Sequence, residues 1–319
     1  MRLRGRRFFG IINVRIATAI IIIASFSAAA AEMPPGVAQK LDADYLKQMQ
    51  QVREKFARER STAHIPNHGL YEDFRAAINV AAENKVAALE AAAKTGTRII
   101  LFTGKGESGQ QNGTLFFHAD GSGKGMKLFQ PPPLRFQKLN APPLPRAGTC
   151  GTELCDCLSG RDRFTEYLEK MAPRDEEWDT LCANFKRYPD EFLAAENENL
   201  AAQFDHWDAS LRAGEYIGVA GGEGGRLSLR GIHFDPPELA FRHLSTHVLA
   251  RDLSESEVRR ALRDGNAYIA YDWLCDPSGF LFGAANSFGI FPAGDPVPFL
   301  LGGTRLVIFT PLTARLKVF

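Results

Sequence analysis

The chain has 319 residues, 45% of them hydrophobic, which is long and apolar enough for a domain with a large buried core. Its 38 lysine and arginine residues nearly balance its 37 aspartate and glutamate residues, so it lacks the basic excess typical of nucleic-acid-binding proteins. These values argue against general disorder and against nucleic acid as a partner.

Residues 1–31 have the pattern of a secretory signal peptide. Arginines are frequent among residues 2–7, an apolar stretch follows at 16–26, and small residues occupy 27–31. Because the apolar stretch is too short to span a bilayer comfortably, we expect cleavage after Ala31. The pattern thus predicts a periplasmic or secreted protein with no stable membrane insertion after cleavage. An uncleaved membrane anchor is the alternative.

The five cysteines are an odd number for a chain that enters an oxidising compartment. Cys150, Cys155 and Cys157 lie close together in the sequence, whereas Cys182 and Cys275 are isolated. None of them belongs to a C-x-x-C unit, so a zinc site of paired thiolates is not predicted. The remaining interpretations are one local disulfide or free buried thiols.

After the signal peptide, the sequence predicts helices followed by an apolar strand. A charged helix is expected over residues 42–60, with these apolar side chains on one face: Leu46, Met49, Val52 and Phe56. A long alanine-rich helix is expected over 71–93 and a buried strand over 97–103. A helix followed by an apolar strand is the repeating element of a parallel α/β fold.

The middle of the chain is less regular. Residues 104–148 are rich in glycine and proline and predict a long surface excursion with one short strand at 114–117. Beyond it, the pattern predicts helices over 163–171, 178–188 and 195–211, and a short apolar strand over 216–220.

The stretch Phe241 to Phe280 is the most informative in the chain. Ser254 and Glu257 form an S-x-x-E capping box at the start of a helix. Val258, Ala261 and Leu262 follow at helical spacing, and Asp264-Gly265 ends the helix. A strand is predicted before this helix, over STHVLA, and a buried strand after it, over residues 267–273.

Beyond Phe280 the helical pattern stops. Three strands are predicted, over residues 297–301, 304–309 and 314–319. They have too few partners for a complete sandwich, which predicts an exposed edge.

The sequence of Val248 to Phe280, VLARDLSESEVRRALRDGNAYIAYDWLCDPSGF, resembles the end of the barrel in a secreted bacterial group of PHP-domain proteins. These are metallo-phosphoesterases of the polymerase and histidinol phosphatase type, and the resemblance continues less strongly upstream to Thr62. It implies an α/β fold: a distorted PHP-type (β/α) barrel followed by a short, incomplete β-module.

The patterns described above and the resemblance together give the domain organisation. We expect a signal peptide at 1–31, an N-terminal helix at 32–61, the PHP-like barrel at 62–280 and the partial β-module at 281–319. The family activity that it implies is hydrolysis of a small phosphorylated substrate with divalent zinc, manganese or iron. Such ions polarise the phosphoryl oxygen and lower the pKa of the attacking water.

The first family motif is a histidine pair, H-x-H, with both rings on one face of a strand. His64 and His68 lie at the corresponding place in this sequence, but the spacing is H-x-x-x-H and Pro66 lies between them. They are candidate metal ligands, with two ordinary loop histidines as the alternative.

The second motif, T-D-H at a strand end, is matched by Thr103-Gly104-Lys105. A protonated lysine has no lone pair and cannot bind a cation, so this ligand is lost. His118 follows the short strand where the family often has a glutamate ligand, and imidazole can substitute for it. Glu153 resembles a family carboxylate after the next strand.

The last motif, N-D-x-H in the family, is matched by Gly221 to Gly225. By position, the aspartate becomes Glu223 and the histidine becomes Gly225. The candidate metal ligands of the whole chain are therefore His64, His68, His118, Glu153 and Glu223. His243 and His247 are not predicted to share an ion, because four residues along a strand separate them by about 13 Å.

Two functional hypotheses follow from these motifs. The first is a periplasmic or secreted metal-dependent phosphoesterase with reduced or rebuilt activity. The second is a PHP-like protein without catalysis, a pseudoenzyme that serves as a binding or structural module.

Overall fold

The computed structural model describes residues 36–62, 71–103, 115–118, 126–128, 135–138, 149–155, 162–195, 217–222, 224–298 and 303–314. The predicted signal peptide at 1–31, almost all of the predicted helix at 195–211 and most of the predicted strand at 314–319 lie outside these ranges.

The described helices are α1 (Val37–Lys40), α2 (Ala43–Thr62), α3 (Lys85–Thr95), α4 (Asp162–Met171), α5 (Asp175–Arg187), α6 (Pro189–Ala194), α7 (Pro237–His243) and α8 (Glu255–Asp264). Among them, none is both long and apolar enough to cross a membrane. The predicted helices at 42–60, 163–171 and 178–188 are confirmed as α2, α4 and α5.

The described strands are β1 (Glu72–Ala81), β2 (Ile99–Thr103), β3 (Leu115–His118), β4 (Met126–Leu128), β5 (Arg135–Lys138), β6 (Thr149–Cys155), β7 (Ile217–Ala220), β8 (Ser228–Leu229), β9 (Ile232–His233), β10 (Ser245–Ala250), β11 (Ala267–Ala270), β12 (Leu281–Asn286), β13 (Gly289–Pro292) and β14 (Arg305–Phe309).

The fold is α/β, with a mixed sheet at its centre. Six strands pair in the order β11-β10-β1-β2-β3-β4, and in this sheet only β1 and β2 are parallel. A second sheet, β5-β6-β7, is parallel, and a parallel bridge from Ile78 to Gly221 joins the end of β7 to β1. Strands β6, β7, β1 and β2 therefore run in one direction. The sheets formed by the described residues are open, and none closes into a barrel.

The predicted long helix over 71–93 is wrong in its first half. Residues 72–81 form strand β1, a short 3-10 helix follows at Ala82–Asn84, and only then does α3 begin. Strand β1 is buried on both faces between Ala76 and Val80, so it lacks the apolar-polar alternation that marks a half-exposed strand. The alanines of this segment therefore led to a helix prediction. In the folded protein, burial between neighbouring elements stabilises a strand instead.

The prediction around α8 is largely confirmed. Ser254 Oγ accepts a hydrogen bond from the Glu257 amide at 3.3 Å, and Gly265 ends the helix at φ 84°. The reciprocal half of the capping box is wrong, because the Ser254 amide donates to Asp252 Oδ1 at 2.7 Å. The Glu257 carboxylate instead accepts from Arg260 Nε at 3.2 Å. Strand β10 confirms the prediction over STHVLA, and β11 is shorter than the predicted strand at 267–273.

The C-terminal strands form a separate three-stranded sheet in the order β13-β12-β14. The prediction at 304–309 is confirmed by β14, but β12 and β13 were missed. Strand β12 reads Leu-Phe-Gly-Ala-Ala-Asn, and glycine, alanine and asparagine have low strand propensity. Of the predicted strand at 297–301, residues 297 and 298 are not in a strand and the rest lie outside the described ranges.

The core has an aliphatic part and an aromatic part. Side chains of β1, β2, β7 and β10 pack on Val258, Ala261 and Leu262 of α8. The aromatic part joins α2, α4, α5 and α6, with Phe192 in edge-to-face contact with Phe164 at 5.8 Å. Helix α2 contributes Leu46 to this second part, so it packs on the domain as its apolar face predicts.

Candidate functional site

A buried polar network crosses three adjacent strands of the central sheet. Arg75 of β1 lies opposite His247 of β10, and His247 lies opposite Tyr268 of β11. Paired residues in neighbouring strands share a face, so the three side chains form one row. Asp73, two residues before Arg75, lies on the same face, and Asp272 follows the end of β11.

His247 is held between two carboxylates. Its Nδ1 lies 2.7 Å from Asp73 Oδ1 and its Nε2 lies 3.1 Å from Asp272 Oδ1. The exposed fractions of the three side chains are 3% for His247, 9% for Asp73 and 1% for Asp272. Because the carboxylates bind opposite nitrogens of the ring, the three groups do not converge on a point where one metal ion can lie.

The protonation state of His247 follows from this geometry. Burial alone lowers the pKa of the imidazole, but the carboxylates of Asp73 and Asp272 outweigh it and raise the pKa to about 10. At neutral pH the ring is therefore an imidazolium that donates from both nitrogens. Such a ring has no lone pair for a metal and no capacity to accept a proton.

The other members of the network complete the hydrogen bonding of the carboxylates. The Tyr268 hydroxyl donates to Asp73 Oδ2 at 2.5 Å, and the Tyr268 ring stacks on His247 with centroids 4.8 Å apart. Arg75 Nε lies 2.9 Å from Asp272 Oδ2, and Ser245 Oγ donates to the same oxygen at 2.5 Å. Two carboxylates thus face one imidazolium and one guanidinium, so the formal charges cancel.

Tyr268 is unsuited to proton transfer. Burial, followed by the negative charge of Asp73, raises the pKa of its phenol well above 10.0. Its hydroxyl therefore stays protonated and donates to Asp73 throughout the neutral range. The network as a whole can fix strands β1, β10 and β11 against one another.

The position of the network agrees with a structural role. Asp73 and Arg75 lie near the amino end of β1. In parallel α/β folds the reacting groups lie at the opposite, carboxyl ends of the strands. In this chain those ends are the ones of β1, β2, β6, β7 and β11, and of the network Asp272, just after β11, and Ser245, opposite Ala270, lie on that side of the sheet.

The carboxyl end of β1 has an irregular backbone. Its register with β2 shifts between Ala77 and Val80, and Asn79 within this bulge has φ 61°. The Gly222 amide, just after β7, donates to the Ile78 carbonyl at 2.5 Å. A Cβ at Gly222 would lie 2.6 Å from the Ala77 Cβ, so only glycine allows the two backbones to approach this closely.

The loop after β7 is held by a single buried carboxylate. Asp235 accepts hydrogen bonds from the Arg226 amide at 3.0 Å and the Leu227 amide at 2.8 Å. Its own carbonyl accepts from the Gly225 amide at 2.5 Å. Burial raises the pKa of Asp235, although the two amide donors oppose this shift. Hydrogen bonds from three backbone amides to Asp235 thereby fix the described part of this loop.

The predicted metal ligands fall largely outside the described residues. His64, His68 and Glu223 lie there, and so does Lys105. The backbone of His118 pairs with Ile99 at the amino end of β2, and the backbone of Glu153 pairs with Val219 of β7. The side chains of His118 and Glu153 are outside the description, so convergence of the five residues stays a prediction.

Sequence reasoning missed the buried network. The signal that could have found it is a histidine in the middle of an apolar strand, with Ser245 two residues before it on the same face. Asp73 and Arg75 share a face, and can both reach the network, only if residues 72–81 form a strand. The helix prediction over 71–93 places them on different faces. Asp272 follows β11 directly, but no local pattern links it to His247 across 25 residues.

Within the ranges that the structure describes, no group of three or more histidine, cysteine, aspartate and glutamate side chains is arranged to hold a metal ion. No protein-family model, no curated protein and no solved structure matches the chain.

Proposed function

We propose that this chain is an exported PHP-like protein that has lost phosphoester hydrolysis and serves as a binding or structural module in the periplasm or outside the cell. The signal-peptide pattern at 1–31 supports export. The resemblance of the sequence of residues 248–280 to PHP-domain proteins supports the PHP-like fold. The common direction of β6, β7, β1 and β2 is compatible with that fold. Closure of these strands into a PHP-type barrel is part of the proposal.

One observation carries the loss of catalysis. The family's first motif is an H-x-H pair on a strand that precedes the T-D-H strand end. In this chain the strand before α3 and β2 is β1, which ends in Asn79-Val80-Ala81. We infer that Asn79 and Ala81, in place of His64 and His68 as expected from the sequence, correspond to the pair, so that an amide and a methyl group replace two imidazoles. The methyl side chain of alanine has no lone pair for a metal ion. The amide oxygen of an asparagine side chain is a poorer ligand than imidazole for zinc.

The other strand ends support the same proposal. Lys105 stands where the family has a histidine, and Gly225 stands for the histidine of the last motif. Restoring that imidazole by Gly225→His is disfavoured by the backbone, because Gly225 has φ 83°, a conformation that other residues rarely adopt. The loop geometry has thus adapted to glycine at this position.

A phosphatase assay tests the proposal. Purified chain is supplied in turn with zinc, manganese and ferrous iron and assayed with an aryl phosphate monoester. The control is the double variant Glu153→Gln, Glu223→Gln, which removes both candidate carboxylate ligands. We expect background rates for both proteins. Metal-dependent hydrolysis that the double variant loses would refute the proposal.

The rival function is a metal-dependent phosphoesterase whose site is rebuilt from His64, His68, His118, Glu153 and Glu223. It is favoured by the parallel pairing of β6, which contains Glu153, with β7, which directly precedes Gly221. Carboxyl ends of adjacent parallel strands meet at one edge of a sheet. Loss of metal binding in a His64→Gln, His68→Gln variant would favour this rival.

A further inference from the structure

The contact between α2 and α6 buries two neighbouring carboxylates. Asp190 and Glu191 lie in the first turn of α6, and their side chains are 12% and 1% exposed. Arg53 of α2 faces both of them, with Nη1 3.1 Å from Asp190 Oδ2 and Nε 2.9 Å from Glu191 Oε1. One guanidinium group of α2 is therefore shared between two acidic side chains of α6.

The two carboxylates are not equally well paired. Asp190 accepts hydrogen bonds on both oxygens, from Arg53 Nη1 at 3.1 Å and from Arg242 Nε of α7 at 2.6 Å. Arg53 Nε is close to Glu191 Oε1, but among the described residues no donor is aligned for a hydrogen bond to that oxygen. Ionised Glu191 thus loses its hydration on burial and shares its nearest cation with a better-paired neighbour.

The surroundings of Glu191 favour its neutral form. Burial raises its pKa above 4.5, and the positive charge of Arg53 opposes this shift without cancelling it. Helix α5 packs on α6 with the apolar ring of Phe185. The charged groups that act on Glu191 are Arg53 on α2, Asp190 on α6 itself and Arg242 on α7.

We propose that docking of α2 on α6 is coupled to proton uptake by Glu191, so that α2 is held more tightly in mildly acidic medium than at neutral pH. When α2 moves away, Glu191 regains water and its pKa returns towards 4.5. The docked state therefore binds more protons above pH 4.5 than the open state does, and docking weakens as pH rises. Because Leu46 and Met49 of α2 are buried, its release exposes an apolar surface, and ionisation of Glu191 controls access to that surface.

Hydrogen exchange of the α2 amides at about pH 5.5 and about pH 7.5 tests the proposal. Protection factors of α2 are divided by those of α8, which packs on the other part of the core, so that changes in the stability of the whole domain cancel. We expect several-fold higher relative protection of α2 at the lower pH in the parent. Glu191→Gln keeps the shape of the protonated acid and should show the higher protection at both pH values. Equal protection of the parent at the two pH values, or a pH difference that persists in Glu191→Gln, would overturn the proposal.

The neighbouring acid provides the matched control. Asp190→Asn removes the carboxylate that accepts from both Arg53 and Arg242, so it should lower the protection of α2 at both pH values. Urea denaturation at neutral pH should separate the two variants in the same way, with a higher midpoint than the parent for Glu191→Gln and a lower one for Asp190→Asn. A midpoint of Glu191→Gln below that of the parent would show that the ionised carboxylate stabilises the docked helix, and would contradict the proposal.

Discussion

At the scale of single residues, the environment of His247 differs strongly from that of a free amino acid. It is buried between Asp73 and Asp272, and its pKa is raised from 6.5 to about 10. Breaking a buried ion pair by removing one partner costs about 3–5 kcal/mol, because the remaining charge is left without compensation. We therefore expect His247→Gln to reduce the free energy of unfolding by an amount in this range.

The pH dependence of stability gives a direct check on His247. A group whose pKa is higher in the folded state than in the unfolded state contributes stability that is fully present below the unfolded pKa. That contribution is lost as pH rises from 6.5 towards about 10. Urea denaturation of the parent should show stability falling over this window by at most about 1.4 kcal/mol per pH unit.

Two variants isolate the contribution of His247. The fall in stability between pH 6.5 and about 10 should be much smaller in His247→Gln, provided the variant folds. The same fall in stability should remain in His233→Gln, which replaces an exposed histidine on β9. A parent whose stability is constant or rises between these pH values would show that the imidazolium is not stabilised in the folded state.

Ser254 tests the start of α8. Its hydroxyl accepts the Glu257 amide at 3.3 Å, so Ser254→Ala should reduce stability by about 1 kcal/mol through loss of the cap. Glu257→Gln is the matched comparison, because the Glu257 carboxylate contacts Arg260 instead of the Ser254 amide. Its expected cost is a few tenths of a kcal/mol. Equal denaturation midpoints for Ser254→Ala and the parent would contradict the capping assignment.

At the scale of elements, α2 is attached at its end by Arg60. Arg60 is 7% exposed, and it donates to the Asp276 carbonyl at 2.8 Å and to the Ser278 carbonyl at 2.5 Å. Arg60→Met removes both donors and leaves two carbonyls to find other partners, at a cost of about 1–3 kcal/mol.

Hydrogen exchange and urea denaturation measure this attachment. We expect faster exchange in α2 and a lower midpoint for Arg60→Met. Lys47→Met replaces an exposed cation of the same helix and should leave both measurements near those of the parent. Similar exchange in the two variants would mean that the apolar face of α2, and not Arg60, holds the helix in place.

The elements that could be predicted from the sequence are those with a local signal. Helix α8 has a capping serine, an apolar stripe and a terminal glycine, and its start and end were predicted correctly. Strand β1 has none of these signals, since its alternation disappears when both faces are buried. Strand β12 was missed because its glycine and alanines gain their stability from β13 and β14.

The same distinction applies to the candidate site. Single histidines and glutamates could be nominated from motif positions, but partners such as Asp73 and His247 are 174 residues apart and meet only through the pairing of β1 with β10. The proposed correspondence of Asn79 and Ala81 to the family's histidine pair depends on β1 being a strand, which no local pattern predicts. Long-range pairing is the information that local patterns lack.

At the scale of the whole molecule, the first prediction concerns export. The small residues before Glu32 predict a mature N-terminus at that position. N-terminal sequencing of protein from the native envelope should begin at Glu32. Protein that retains residues 1–31 in the membrane fraction would favour the uncleaved anchor.

The central claim, a PHP-like chain without its metal centre, is tested most directly by the metal content of protein purified from its native envelope without chelator. Active metallo-phosphoesterases with two-metal sites hold about two ions per chain. We predict well below one equivalent of zinc, manganese and iron combined, unchanged by Glu153→Gln with Glu223→Gln. About two equivalents in the parent, lost in that double variant, would contradict the claim.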